Sequence, residues 1–191
     1  MKTDIILAGV GGQGILSIAT VIGEAALKEG LYIKQAEVHG MSQRGGDVQS
    51  NLRISSNPIA SDLIPLGGAD LIISLEPMEA LRYLPYLAPT GWIVTNVTPF
   101  VNIPNYPKEE EIFAELGKLK NVIKVDVDSL AAEAGNPRGA NIVLLGACSH
   151  LLGIEQNKIE EGIRRIFARK GEEIVEKNIA AFNAGKGCVA V

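Results

Sequence analysis

The sequence predicts an α/β fold, Rossmann-like, in three αβα layers, with a mainly parallel sheet and an inserted antiparallel hairpin. Three observations predict it. An apolar run from Ile5 to Val10 ends in Gly11-Gly12-Gln13-Gly14 and passes into an apolar stretch of helical length. Strand-like and helix-like segments then alternate along much of the chain. Between them one segment alternates strictly between apolar and polar residues, unlike the unbroken apolar runs of parallel strands buried on both faces. With 191 residues and no repeat, linker or composition break, residues 1–191 read as a single domain.

Asp4 to Val10 is a buried parallel strand by its continuous apolar run. The glycine turn opens a helix over Ile15 to Lys28 that stops near Gly30. Leu31 to Val38 is the second strand, which completes the opening of a doubly wound sheet. The loop His39 to Gly46 then leaves no room for a crossover helix. In the next segment Val48, Ser50, Leu52 and Ile54 share one face, and Gln49, Asn51, Arg53 and Ser55 the other. Period 2 predicts a half-exposed strand with antiparallel pairing. Ser56-Asn57-Pro58 signals a turn, so Ile59 to Ile64 is the expected hairpin partner.

Regular punctuation resumes with a strand over Ala69 to Leu75. Pro77 suits the first turn of a helix carrying Met78 to Tyr83. Gly91 to Asn96 and Val122 to Val127 are strands, separated by a proline-rich loop and a helix over Lys108 to Leu119. Asp128 or Ser129 caps a short helix that ends at Gly135-Asn136-Pro137. From Ala140 three helical segments run to about Ala184, separated near Gly153 and Gly171.

Composition excludes several classes. The formal net charge of -4 provides no positive field for nucleic acid or an acidic membrane surface. The longest apolar stretch, Ile142 to Ile154, is broken by Ser149 and His150 and is too short to span a bilayer. Cys148 and Cys188 are the only thiols, so the chain cannot hold a four-thiolate iron–sulfur cluster alone. Neither a signal peptide nor a disulfide framework is legible, and a soluble, cytoplasmic protein is expected.

Gly9-x-Gly11-x-x-Gly14 has the dinucleotide-fingerprint spacing between a strand and a helix. Gly9, Gly11, Gly12, Gln13 and Gly14 are therefore candidate cofactor-binding residues, because glycines let backbone N–H groups approach an anion at the helix N-terminus. Glu37 falls where a ribose-binding acid would sit. The same turn could serve only close strand–helix packing. Ile15-Leu16 replaces the Lys-Ser/Thr of a phosphate-binding P-loop, and the missing second crossover helix departs from an NAD-binding half. A mononucleotide, a diphosphate-bearing coenzyme and no ligand all stay open, as do a stand-alone dinucleotide-binding oxidoreductase and a ligand-free structural subunit.

The loop after the second strand carries His39, Ser42, Gln43, Arg44 and Gly45, a glycine-flanked cation among hydrogen-bonding side chains. It lies where open α/β sheets place ligands, which makes it a candidate partner or substrate-cleft loop. An ordinary solvated ion pair of Arg44 is the competing reading. His150 reads as a buried or interface residue and Cys148 as core, with Glu109-Glu110-Glu111 the acidic first turn of a helix. No nucleophile–base pair or metal-ligand grouping is legible, so no catalytic residue and no metal is assigned.

Gly9-Val10-Gly11-Gly12-Gln13-Gly14, then Glu37-Val38-His39-Gly40-Met41-Ser42-Gln43-Arg44-Gly45-Gly46, then Ala134-Gly135-Asn136-Pro137-Arg138-Gly139-Ala140-Asn141 together resemble the gamma-type subunit of 2-oxoacid:acceptor oxidoreductases. Within that pyruvate/ketoisovalerate-type family the pattern is most similar to the indolepyruvate ferredoxin oxidoreductase beta subunit, and the likeness spans nearly the whole chain. The resemblance implies a small subunit that is inactive alone and binds no cofactor by itself. It implies a larger partner holding thiamine diphosphate and iron–sulfur clusters. The complex would decarboxylate an arylpyruvate oxidatively with coenzyme A and reduce ferredoxin.

Overall fold

The structure, a computed structural model, describes residues 1–39 and 45–189, with the side chain of His39 left aside. Residues 40–44, which include Ser42, Gln43 and Arg44, lie outside the described residues. Strand β1 (Lys2–Val10) leads into α1 (Ile15–Lys28), β2 (Tyr32–His39) and β3 (Asp47–Ser55). Then come β4 (Ala69–Ser74), α2 (Pro77–Arg82), β5 (Leu87–Asn96), α3 (Glu109–Leu116), β6 (Val122–Val125) and α4 (Val127–Glu133). The chain closes with α5 (Ala140–Cys148), α6 (Gln156–Phe167) and α7 (Glu172–Gly187).

The strands form one sheet in the order β2-β3-β1-β4-β5-β6. β1, β4, β5 and β6 pair in parallel, while β3 is antiparallel to both β1 and β2. The mixed three-layer architecture and the antiparallel alternating segment are thus as expected. Alternate residues of the central strands feed opposite cores, as the pleat requires. Ile5 and Leu7 of β1 join Leu71, Ile73 and Val94 in the core beneath α1 and α5, whereas Ile6, Ala8, Ile72 and Ile93 pack with Ala80 of α2 and with Tyr83 just beyond it. On the first face α6 packs against α1 and α7 against α5. Among the described residues no helix is long and apolar enough to cross a membrane.

Five local expectations need correction. Strand β3 is not half-exposed, because Gln49, Asn51 and Ser55 on its polar face are buried too. The segment expected as its hairpin partner, Ile59 to Ile64, is irregular. It crosses that polar face on side-chain hydrogen bonds. The Ile64 N–H donates to Asn51 Oδ1 at 3.1 Å, and Arg53 Nη1 donates to the carbonyls of Ser61 and Leu63 at 3.1 and 3.0 Å. Arg53 in turn pairs with the buried carboxylate of Asp4 at 2.8 Å, which offsets the cost of desolvating both charges. Side chains here supply what a strand ladder would have supplied.

The remaining corrections are smaller. β6 ends at Val125, and the cap of α4 is Asp126, whose carboxylate accepts from the Ser129 N–H at 3.0 Å. The predicted Asp128 or Ser129 cap lies inside the first turn instead. Finally, His150 lies in a 3₁₀ turn at Ser149–Leu151 and is exposed, so it is not buried within this chain.

Candidate functional site

The C-terminal ends of β1 and β4 are where this sheet changes direction: the connection through α1 leads to β2 on one side, and that through α2 leads to β5 on the other. Open α/β sheets bind ligands in the crevice at such a point. Two clefts open here, and Gln13 lines the second. One, of ≈ 400 Å³, is lined by Val10, Gly11, Gly12, Gly14, Ile15, Leu16, Glu37 and Val48. The other, of ≈ 360 Å³, is walled by Asn96, Thr98, Phe100, Val127, Asp128 and Ala140.

The five predicted residues of the glycine turn come together here but do different work. Gly12 and Gly14 take the left-handed conformation, at φ 103 and 86, which a side chain would oppose. Gly9 lies within β1, where a Cβ would stand 2.9 Å from Gln13 Oε1. It leaves room for that side chain. Gln13 Oε1 accepts from the Val10 N–H at 2.7 Å, and Gln13 Nε2 donates to the Leu75 carbonyl at 3.2 Å. Gln13 is therefore the strut between β1 and the end of β4. Gly11 is not a free anion donor, because its N–H donates to the Gly46 carbonyl at 2.8 Å.

The open donors lie just beyond it. Among the described residues, the N–H groups of Gly12, Gly14, Ile15 and Leu16 have no acceptor. Helix α1 has no side-chain cap and no acid in its first turn, so its positive end faces the larger cleft uncompensated. That donor set fits a phosphate or diphosphate group. Glu37 lines the far wall. Since β3 stands between β2 and β1, Glu37 is two strands from the glycine turn, an offset of about 10 Å rather than about 5 Å. This is one strand farther than the ribose-binding acid of a dinucleotide-binding half.

Several residues that shape the site were not singled out from sequence. Asn141 Nδ2 donates to the Gly14 carbonyl at 3.1 Å and ties the start of α5 to the start of α1. Glu76 caps α2, accepting from the Glu79 N–H at 2.8 Å, and its other oxygen accepts from the Phe100 N–H and the Tyr106 hydroxyl. Glu79 lies beside it, gripped by Arg82 Nε at 2.6 Å, and burial pushes its carboxyl up to about 7. The signal for Glu76 was an acid directly before a helix-opening proline. Among the described residues no group of His, Cys, Asp and Glu could hold a metal ion. Of the predicted partner loop, Gly45 is in place with φ 76, and its N–H donates to the Gly11 carbonyl at 3.3 Å.

Comparison with known proteins gives this geometry its context. The chain is 38% identical over 196 residues to indolepyruvate oxidoreductase subunit IorB of Archaeoglobus fulgidus, covering 97% of this chain and 94% of that one. It is 29% identical to 2-oxoglutarate synthase subunit KorC of Methanothermobacter marburgensis, over 97% of this chain and 96% of the relative. The crystal structure of the keto/oxoacid ferredoxin oxidoreductase gamma subunit of Geobacter sulfurreducens superposes with a TM-score of 0.70 at 25% identity, covering 96% and 95% of the two chains. The family model for pyruvate ferredoxin/flavodoxin oxidoreductase matches residues 4–188. This chain is an oxidoreductase subunit and belongs to the pyruvate ferredoxin/flavodoxin oxidoreductase family.

Proposed function

We propose that the chain is the small subunit of an indolepyruvate-type, arylpyruvate-oxidising ferredoxin oxidoreductase. In this reading it is inactive alone, and a larger partner holds thiamine diphosphate and the iron–sulfur clusters. The single observation that carries its share of the work is the open N–H set of Gly12, Gly14, Ile15 and Leu16 in the larger cleft. Coenzyme A is the acyl acceptor of the reaction when bound, and its diphosphate suits those donors. The chain's own residues then bind and orient: the uncapped end of α1 holds the anion, and Gln13 braces the turn against the end of β4. The length match with subunit IorB supports the assignment to a small subunit. Cytoplasmic location agrees with the two unpaired thiols.

His39, Ser42, Gln43, Arg44 and Gly45 are proposed as the loop that enters the cleft between subunits, with Arg44 meeting an anion of the partner, substrate or coenzyme. The test is reconstitution with the larger subunit, followed by arylpyruvate- and coenzyme A-dependent ferredoxin reduction. Activity is expected only in the complex, and Arg44→Ala is expected to lower assembly or turnover by tenfold or more, on the order of 2 kcal/mol. Tight nicotinamide-nucleotide binding with turnover by the isolated chain would overturn the assignment.

A further inference from the structure

We infer that Glu76 is a positioning residue for the glycine turn, acting from outside the cleft through residues 97–107. The inference rests on the reading of that turn as a coenzyme site. The Glu76 side chain is fully buried, and no cation is paired with it among the described residues. An uncompensated buried carboxylate is costly unless donors surround it. A helix cap needs one oxygen, and Oε2 supplies it to Glu79. The other oxygen, Oε1, is bonded instead to the Phe100 N–H at 3.2 Å and to the Tyr106 hydroxyl. One carboxylate thus clamps the segment after β5 at two points six residues apart.

Asn102 lies between those two points, and its Nδ2 donates to the Gly45 carbonyl at 2.8 Å. Gly45 and Gly46 are in turn bonded to Gly11 from both sides, Gly45 N–H to the Gly11 carbonyl and Gly11 N–H to the Gly46 carbonyl. The path runs by hydrogen bonds from Glu76 to Phe100 and Tyr106, along the chain between them to Asn102, and by hydrogen bonds again to Gly45 and Gly11. The clamped segment also supplies Thr98, Pro99 and Phe100 to the smaller cleft. Glu76 therefore sets the wall of one cleft and steadies the turn of the other. Glu76 itself lines neither cleft.

The experiment compares Glu76→Gln, Glu76→Ala, Tyr106→Phe and Asn102→Ala in the reconstituted complex. It reads KM for coenzyme A, kcat, and amide hydrogen exchange at Gly11 and Gly45. Glu76→Ala is expected to speed exchange at both amides and to raise KM by about tenfold with little change in kcat. Glu76→Gln, whose amide oxygen can still accept from the Phe100 N–H and the Tyr106 hydroxyl while its NH2 loses the bond from the Glu79 N–H, is expected to recover most of the loss. Tyr106→Phe removes a single hydroxyl and guards against a misfolded variant. Its effect should be smaller in the same direction. The double variant Glu76→Ala/Asn102→Ala should show a smaller effect than the two single variants added together, because both break one path. Unchanged exchange at Gly11 and Gly45 in Glu76→Ala and Tyr106→Phe overturns the positioning role, whatever the thermal stability. Faster exchange with unchanged KM upholds positioning and overturns the coenzyme reading of the turn.

Discussion

Tyr83, just past the last residue of α2, places its hydroxyl 2.8 and 2.7 Å from the two carboxylate oxygens of Asp47, the first residue of β3. Burial, then the neighbouring Asp47, pushes the phenol far above its ordinary range, so it stays a donor at every working pH. Asp47 follows Gly46, whose carbonyl holds the Gly11 N–H. The end of α2 is thereby tied to the glycine turn, and Glu79 sits one turn back on the same helix with its carboxyl among these charges.

The first prediction concerns Glu79 and pH. Desolvation is the largest cause of its rise to about 7, with Arg82 opposing and Asp47 adding to it. The folded pKa therefore exceeds the unfolded value of 4.5, and the fold favours the neutral carboxyl. The stability contributed by the proton is complete below about pH 4.5 and is lost as pH rises through about 7. Urea unfolding across that window should show stability falling by on the order of 2–3 kcal/mol from this group. Glu79→Gln should flatten that slope. A variant with the wild-type pH profile would place the titration elsewhere.

The second prediction concerns two glycines in the last turns of α5 and α7. A Cβ on Gly146 would stand 2.1 Å from the Phe182 carbonyl oxygen, and one on Gly185 only 1.9 Å from that of Val143. Both obstacles are backbone, so α5 and α7 would have to separate. Gly146→Ala and Gly185→Ala should each cost roughly 3 kcal/mol or more in thermal or denaturant unfolding, despite alanine's better helix propensity. A gain in stability from either would contradict this packing.

Much of the fold was legible because its strands carry strong local signals. The run Ile5 to Val10 and the proline start at Pro77 each announced an element within a residue or two. Ile59 to Ile64 misled because its apolar content was real, but its hydrogen bonds go to Asn51 and Arg53, more than seven residues away in sequence. No local pattern encodes that. The glycine turn of the candidate site was equally legible, since φ above zero selects glycine at Gly12 and Gly14. What supports the turn was not. Glu76, Asn102 and Asn141 reach it by bonds that span 24 to 127 residues of chain, and side-chain reach of that kind leaves no period in the sequence.

The third prediction separates geometry from space within that turn. Gly12 and Gly14 both have positive φ, so a substituted side chain meets backbone strain at either. Their surroundings differ. Nothing stands within 4 Å of a Cβ at Gly12, whereas one at Gly14 would lie 2.7 Å from Asn141 Nδ2. That amide is held by its own bond to the Gly14 carbonyl, so it cannot swing away without loosening α5 from α1. Gly12→Ala should therefore cost about 1–2 kcal/mol, the strain alone, and Gly14→Ala roughly 2–4 kcal/mol, strain plus the displaced contact. Truncating the obstacle tests the partition: Gly14→Ala/Asn141→Ala should cost less than the two single substitutions added together. Denaturant unfolding of the four variants checks it. Equal costs for Gly12→Ala and Gly14→Ala, with strict additivity in the pair, would mean that Asn141 yields freely and that backbone conformation alone selects glycine here.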